Sequence, residues 1–118
     1  ITNKTKLIYV ESPGSNSFEF QDLSKILSIA KKYKLFTAID NTWATPYFLK
    51  PIKLGFDMSI VSATKYYSGH SDVMGGSLAV NKKVFKQIMF FYLFRPKHKH
   101  RHLFEQRFYQ LSYRLLLF

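Results

Sequence analysis

Residues 36–43, Phe36-Thr37-Ala38-Ile39-Asp40-Asn41-Thr42-Trp43, decide the fold. Phe36 to Ile39 suit a buried strand, and the run stops at once on Asp40, Asn41 and Thr42, residues that favour turns. Upstream, Leu23, Ile26, Leu27 and Ala30 recur at helical spacing from Asp22, a candidate N-cap or first-turn acid, while Lys25, Lys31 and Lys32 take the other face. That helix is expected to end near Lys34. Before it, Lys6-Leu7-Ile8-Tyr9-Val10 reads as a buried strand closed by Glu11-Ser12-Pro13-Gly14-Ser15. Strand, helix and strand make a βαβ unit.

Downstream, Pro46, Pro51 and Gly55 interrupt the pattern, and Met58-Ser59-Ile60-Val61 reads as a third strand with Ser62-Ala63-Thr64-Lys65 at its carboxyl end. Gly69, Gly75 and Gly76 mark loop and turn; Ser77-Leu78-Ala79-Val80 is a fourth strand, and Asn81 can cap a helix through Val84, Phe85 and Ile88. The class is α/β. From about Met89 the composition changes. Positions 90–118 hold nine of the chain's twenty-one Phe, Tyr and Trp residues, and six Lys and Arg oppose Glu105 alone.

The 118 residues suffice for one ordinary domain, and an apolar fraction of 47% suits a core-forming chain rather than a disordered one. There is no cysteine, which removes disulfides and thiolate chemistry and points to a reducing compartment, the cytoplasm by default. The start, Ile1-Thr2-Asn3-Lys4, lacks an initiator methionine and any signal-peptide pattern, as expected of a segment of a longer protein. No apolar run approaches the roughly 20 residues a bilayer needs, so no membrane partner is expected. The net charge of +11 by itself suggests an anionic partner. Its distribution argues against nucleic acid, since the lysines up to residue 87 sit singly or in pairs such as Lys31-Lys32 and Lys82-Lys83. His98, His100 and His102 alternate as on one strand face, but with no neighbouring carboxylate or cysteine a solvated basic run is preferred to a metal site.

In open α/β sheets ligands bind beyond the carboxyl ends of the strands, where two unusual clusters fall here. Asp40 follows an apolar strand directly, where a carboxylate is costly without a partner. Lys65 follows Ser62 and Thr64, whose hydroxyls can bind a phosphate. Taken singly, each has an ordinary reading: an acid at a strand end is more often a cap or turn former, and a lysine in a Ser/Thr-rich turn is more often surface. Together they supply a carboxylate for a pyridinium nitrogen, an amine for an aldehyde and donors for a phosphate, which is what pyridoxal 5'-phosphate asks of a protein.

Three blocks, Tyr9 to Ser15, Ile39 to Ala44, and Ser62 to Tyr66 continuing through Gly69 to Gly76, resemble in order and spacing the central cofactor segment of the Cys/Met-metabolism pyridoxal-phosphate enzymes. The resemblance covers residues 5 to about 88. Within the family, Glu-Ser-Pro-Gly-Ser and Asp-Asn-Thr-Trp look most like the bacterial cystathionine β-lyase branch, with γ-synthases and γ-lyases close behind. It implies part of the large cofactor-binding domain of a fold-type I, aspartate aminotransferase-like enzyme, with a mainly parallel sheet and homo-oligomeric assembly. It also implies Lys65 as the lysine that carries the cofactor and moves the Cα proton, Asp40 as the partner of the ring nitrogen, and Ser62 and Thr64 as phosphate ligands. The implied substrate is a small amino-acid thioether, and the implied reaction is β-elimination of cystathionine to homocysteine, pyruvate and ammonia. His70 lies in the matched loop and is expected to be structural.

Other family parts fall outside the matched stretch: the ring-stacking tyrosine and Gly-rich phosphate turn before it, and the arginine for the substrate carboxylate after it. By itself this segment is therefore expected to turn over cystathionine poorly. Residues 89–118 form a basic aromatic tail outside the resemblance, of the kind a shifted reading frame produces. A non-catalytic relic whose basic tail binds anions is the rival reading.

Overall fold

A computed structural model describes residues 1–70, 72 and 74–94. Strand β1 (Leu7–Glu11) is followed by helix α1 (Leu23–Tyr33) and strand β2 (Phe36–Asp40). The Asp22 side chain accepts the Lys25 N–H at 2.9 Å as the N-cap of α1. Lys34 ends the helix in the left-handed region (φ 53°), where its N–H donates back to Lys31 O at 3.2 Å and Leu35 N–H donates to Ala30 O at 2.9 Å. The expected βαβ unit is present with these bounds.

The stretch expected to be interrupted by prolines holds two short helices instead, α2 (Thr45–Phe48) and α3 (Pro51–Leu54). In each the proline lies in the first turn, where its missing N–H is no loss and its fixed φ suits a helix. Gly55, at φ 113°, closes α3 in a conformation that a side chain would strain. Strand β3 (Met58–Ser62), helix α4 (Ala63–Tyr66), strand β4 (Gly76–Val80) and helix α5 (Lys82–Phe94) follow. The Asn81 side chain caps α5 by accepting Val84 N–H at 2.9 Å, and the helix runs unbroken past Ile88, where the composition begins to change.

The four strands lie in sequence order, with β1, β2 and β3 parallel and β4 antiparallel to β3. Glu11 is in register with Asp40, and Asp40 with Ile60. Side chains alternate along a strand, so Tyr9, Glu11, Asp40, Ile60 and Ser62 share one face. The opposite face is the closed one: Thr37, Ile39, Ser59 and Val61 are all buried, as is Ala30 of α1, which packs on β2. Asp40's face is more open, with Leu7 and Tyr9 exposed on β1. Burial of Phe56, Ile39 and Val80 is nearly complete, each such side chain contributing about 1.5–3 kcal/mol.

Candidate functional site

The carboxyl ends of β2 and β3 come together because the two strands are adjacent and parallel. Asp40 is the last residue of β2 and Ser62 the last of β3, so a carboxylate and a hydroxyl stand at neighbouring strand ends on one face. Lys65 sits in α4, one short helical turn beyond β3, rather than on the bare strand end. Its side chain is exposed. Among the described residues, nothing pairs with its ammonium group and no hydrogen bond engages the Ser62 hydroxyl.

Asp40 is half-buried, and its Oδ1 accepts the Thr42 N–H at 2.9 Å. Tyr9, two residues before Glu11 on the neighbouring strand, is held neutral to higher pH than usual first by partial burial and then by the nearby Asp40 and Glu11 carboxylates. The phenol therefore keeps its proton beside that acid. Tyr9 belongs to a block quoted above, yet only the strand pairing reveals its nearness to Asp40.

Thr64 is placed differently from a free phosphate ligand. Its Oγ1 accepts Gly75 N–H at 3.0 Å and donates toward Gly75 O at 3.3 Å. The first N–H groups of α4, from Ala63 and Thr64, also donate to Gly75 O, at 2.9 and 3.3 Å. Binding an anion at Thr64 therefore requires its hydroxyl proton to turn away from Gly75, while Ser62 needs no such change. His70 Nδ1 lies 2.9 Å from Ser68 O, a contact within its own loop. Among the described residues no group of three or more His, Cys, Asp and Glu could hold a metal; His98, His100 and His102 lie outside those residues. No described helix is long and apolar enough to cross a membrane.

A groove at the amino ends of β2 and β3 is lined by Lys31, Lys34, Leu35, Asp57 and Lys83 among others. Asp57 spends its carboxylate there on Thr37 and Asn81, which makes it a strand tie rather than a chemical group.

The donor set at the carboxyl ends suits a small anionic aromatic aldehyde: an acid for a ring nitrogen, a hydroxyl for a phosphate and an exposed primary amine. With the mainly parallel α/β sheet, it defines the class as a cofactor-binding segment of a fold-type I pyridoxal-phosphate enzyme. Comparison with known proteins narrows the class to a family. The profile of the Cys/Met metabolism PLP-dependent enzymes matches residues 1–96. The chain is 42% identical over 86 residues to a putative cystathionine beta-lyase of Rhizobium johnstonii, covering 73% of this chain and 22% of that protein. It is 41% identical over 86 residues to an L-alanine/L-glutamate racemase of Wolbachia pipientis, covering 73% of this chain and 21% of that protein. A crystal structure of cystathionine gamma-lyase from Lactobacillus plantarum, complexed with L-serine, superposes with a TM-score of 0.67 at 39% identity, covering 74% of this chain and 23% of that one.

This chain belongs to the Cys/Met metabolism pyridoxal-phosphate-dependent enzyme family. It spans less than a quarter of the length of these relatives. The family match runs to residue 96, eight positions beyond the stretch in which the quoted blocks carry a resemblance.

Proposed function

We propose that this chain is the central cofactor-binding segment of a carbon–sulfur lyase that cleaves cystathionine by β-elimination to homocysteine, pyruvate and ammonia. The observation that carries this reading is the placement of Asp40 and Ser62 on one face at adjacent parallel strand ends, with Lys65 a helical turn beyond. Asp40 would keep a proton on the ring nitrogen, and Ser62, joined by Thr64 once its proton turns, would hold the phosphate. Lys65 would carry the cofactor through its amine and, when that amine is free, move the proton from the substrate Cα. The bound pyridoxal phosphate supplies an electron sink for the pair left when that Cα–H bond breaks.

The γ-lyase neighbour and the racemase relative favour a second reading of the same site, in which the Cα proton is removed by Lys65 but no Cβ–S bond is broken, or a Cγ–S bond is broken instead. The residues that choose among these outcomes touch the substrate side chain, and none is identified among Asp40, Ser62, Thr64 and Lys65.

The test is incubation of the 118-residue chain with pyridoxal phosphate, borohydride reduction and peptide mapping. The expected result is one covalent label on Lys65, lost in Lys65→Ala and weakened in Asp40→Ala. A wild-type chain that takes no label, or takes it equally on scattered surface lysines, ends the proposal.

A further inference from the structure

We infer that Thr42 is a positioning residue that fixes the Ser62 end of β3 against the Asp40 end of β2, so that the carboxylate and the phosphate-side hydroxyl form one rigid unit. The inference rests on the cofactor reading above and deepens it. Thr42 spends its backbone and its side chain in two directions: its N–H donates to Asp40 Oδ1 at 2.9 Å, and its Oγ1 accepts Ser62 N–H at 2.8 Å. No other described residue bonds to both ends.

The reason lies in how the ladder stops. The β2–β3 register ends at Asp40 opposite Ile60, and Asn41 N–H makes one more bond, to Ile60 O at 2.7 Å. The Asn41 carbonyl then turns away to accept Thr45 N–H at 2.9 Å. Ser62 N–H would thus lose its strand partner two residues past Ile60, and the Thr42 hydroxyl replaces the missing carbonyl. The turn that presents Thr42 is itself pinned, since fully buried Asn41 donates from Nδ2 to Leu49 O at 3.0 Å. Movement of Ser62 is therefore transmitted to Asp40 through one residue. Two groups that would hold different parts of one ligand gain from such a fixed span, because a loosened span lowers the fraction of molecules with both groups in place.

Two substitutions separate the hydroxyl from the rest of the residue. Thr42→Val keeps the shape and the N–H to Asp40 but leaves Ser62 N–H without an acceptor, while Thr42→Ser keeps the acceptor and drops only a methyl. In the cofactor-free 118-residue chain, amide hydrogen exchange at Ser62 is expected to quicken by about tenfold in Thr42→Val and to stay within about twofold of wild type in Thr42→Ser. With pyridoxal phosphate added, Thr42→Val is expected to bind about tenfold more weakly and to shift the phosphorus resonance of the bound phosphate. The covalent label on Lys65 should still form, and Thr42→Ser should restore both values.

Unchanged exchange at Ser62, or unchanged affinity in Thr42→Val, overturns the inference. So does a rise in exchange spread over all four strands, which would make Thr42 a general prop of the fold. A wild-type chain that binds no pyridoxal phosphate overturns the cofactor reading instead, and the Ser62 exchange then decides by itself whether Thr42 couples the two strand ends.

Discussion

Asp57 and Thr37 hold each other by three reciprocal hydrogen bonds at the amino ends of β3 and β2: Asp57 Oδ2 accepts the Thr37 N–H at 2.9 Å and its hydroxyl at 3.2 Å, and Thr37 Oγ1 accepts the Asp57 N–H at 3.0 Å. Asn81, just past β4, adds Nδ2 to Asp57 Oδ1 at 2.7 Å and its own N–H to Asp57 O at 3.0 Å. One acid thus ties three strands together at the end of the sheet away from the candidate site. It helps to set the β2–β3 register, and with it which residues reach the opposite end.

Removing that acid leaves a buried threonine and an asparagine without their acceptor. Asp57→Ala is expected to lower the unfolding free energy by about 2–4 kcal/mol, since each orphaned buried donor costs about 1–3 kcal/mol. Asp57→Asn should recover less than half of the loss, because its amide turns N–H groups toward donors that already need an oxygen. Urea unfolding of the three proteins gives the comparison; an Asp57→Ala midpoint equal to wild type would show that the tie contributes nothing net.

Tyr9 supplies a pH prediction. Its pKa is raised above the ordinary 10 first by partial burial, then by the Asp40 and Glu11 carboxylates, which disfavour a nearby phenolate. The folded chain therefore binds the phenol proton more tightly than the unfolded chain does. This contribution to stability is fully present below pH 10 and is lost as pH rises through the higher folded value. Ultraviolet difference titration of wild type against Tyr9→Phe should assign the missing transition to a pH above 10, and Asp40→Asn should lower it. A Tyr9 transition at or below 10 contradicts the prediction.

Lys34 occupies the left-handed region at φ 53° as the C-cap of α1, a conformation that costs a residue with a Cβ more than it costs glycine. Lys34→Gly is expected to stabilise the chain by about 0.5–1 kcal/mol, the relief of backbone strain exceeding the entropy that glycine adds to the unfolded chain. Thermal unfolding decides it: a lower melting temperature for Lys34→Gly would mean that the lysine side chain contributes more at the helix end than its backbone costs.

How much of this was legible in the sequence varies with the reach of the interaction. Helix α1 could be read nearly to the residue, since Asp22, the apolar spacing and the turn at Lys34 are all local signals. Strands β2 and β3 were legible for the same reason, and with them the positions of Asp40 and Ser62. Helices α2 and α3 were not, because Pro46 and Pro51 read in the sequence as interruptions, whereas a proline in the first turn begins a helix as readily as it ends one. The continuation of α5 to Phe94 was hidden by a second half that is apolar on every side and so has no period to read. The Asp57–Thr37 and Thr42–Ser62 contacts each join residues 20 apart, and nothing in a local window announces them. For the same reason the commitment of Thr64 to Gly75, eleven residues away, could not be seen in a Ser-Ala-Thr-Lys string.

That last contact gives a prediction that separates two roles of one hydroxyl. Thr64 Oγ1 receives the Gly75 N–H, and Gly75 is the residue before β4, so the hydroxyl anchors the return of the chain to the sheet whether or not a cofactor binds. Thr64→Val removes the acceptor at nearly constant volume and Thr64→Ser preserves it. Without pyridoxal phosphate, Thr64→Val is expected to lose about 1–2 kcal/mol of stability and to speed amide exchange at Gly75, the cost of leaving one backbone donor unmade in a partly exposed turn. Ser62→Ala should leave both values near wild type, because no described residue uses its hydroxyl. With pyridoxal phosphate present, both substitutions should weaken binding, and only Thr64→Val should do so together with a loss of stability. If Thr64→Val weakens binding while the cofactor-free chain keeps its stability and its Gly75 protection, the Gly75 contact is incidental and Thr64 acts on the ligand alone.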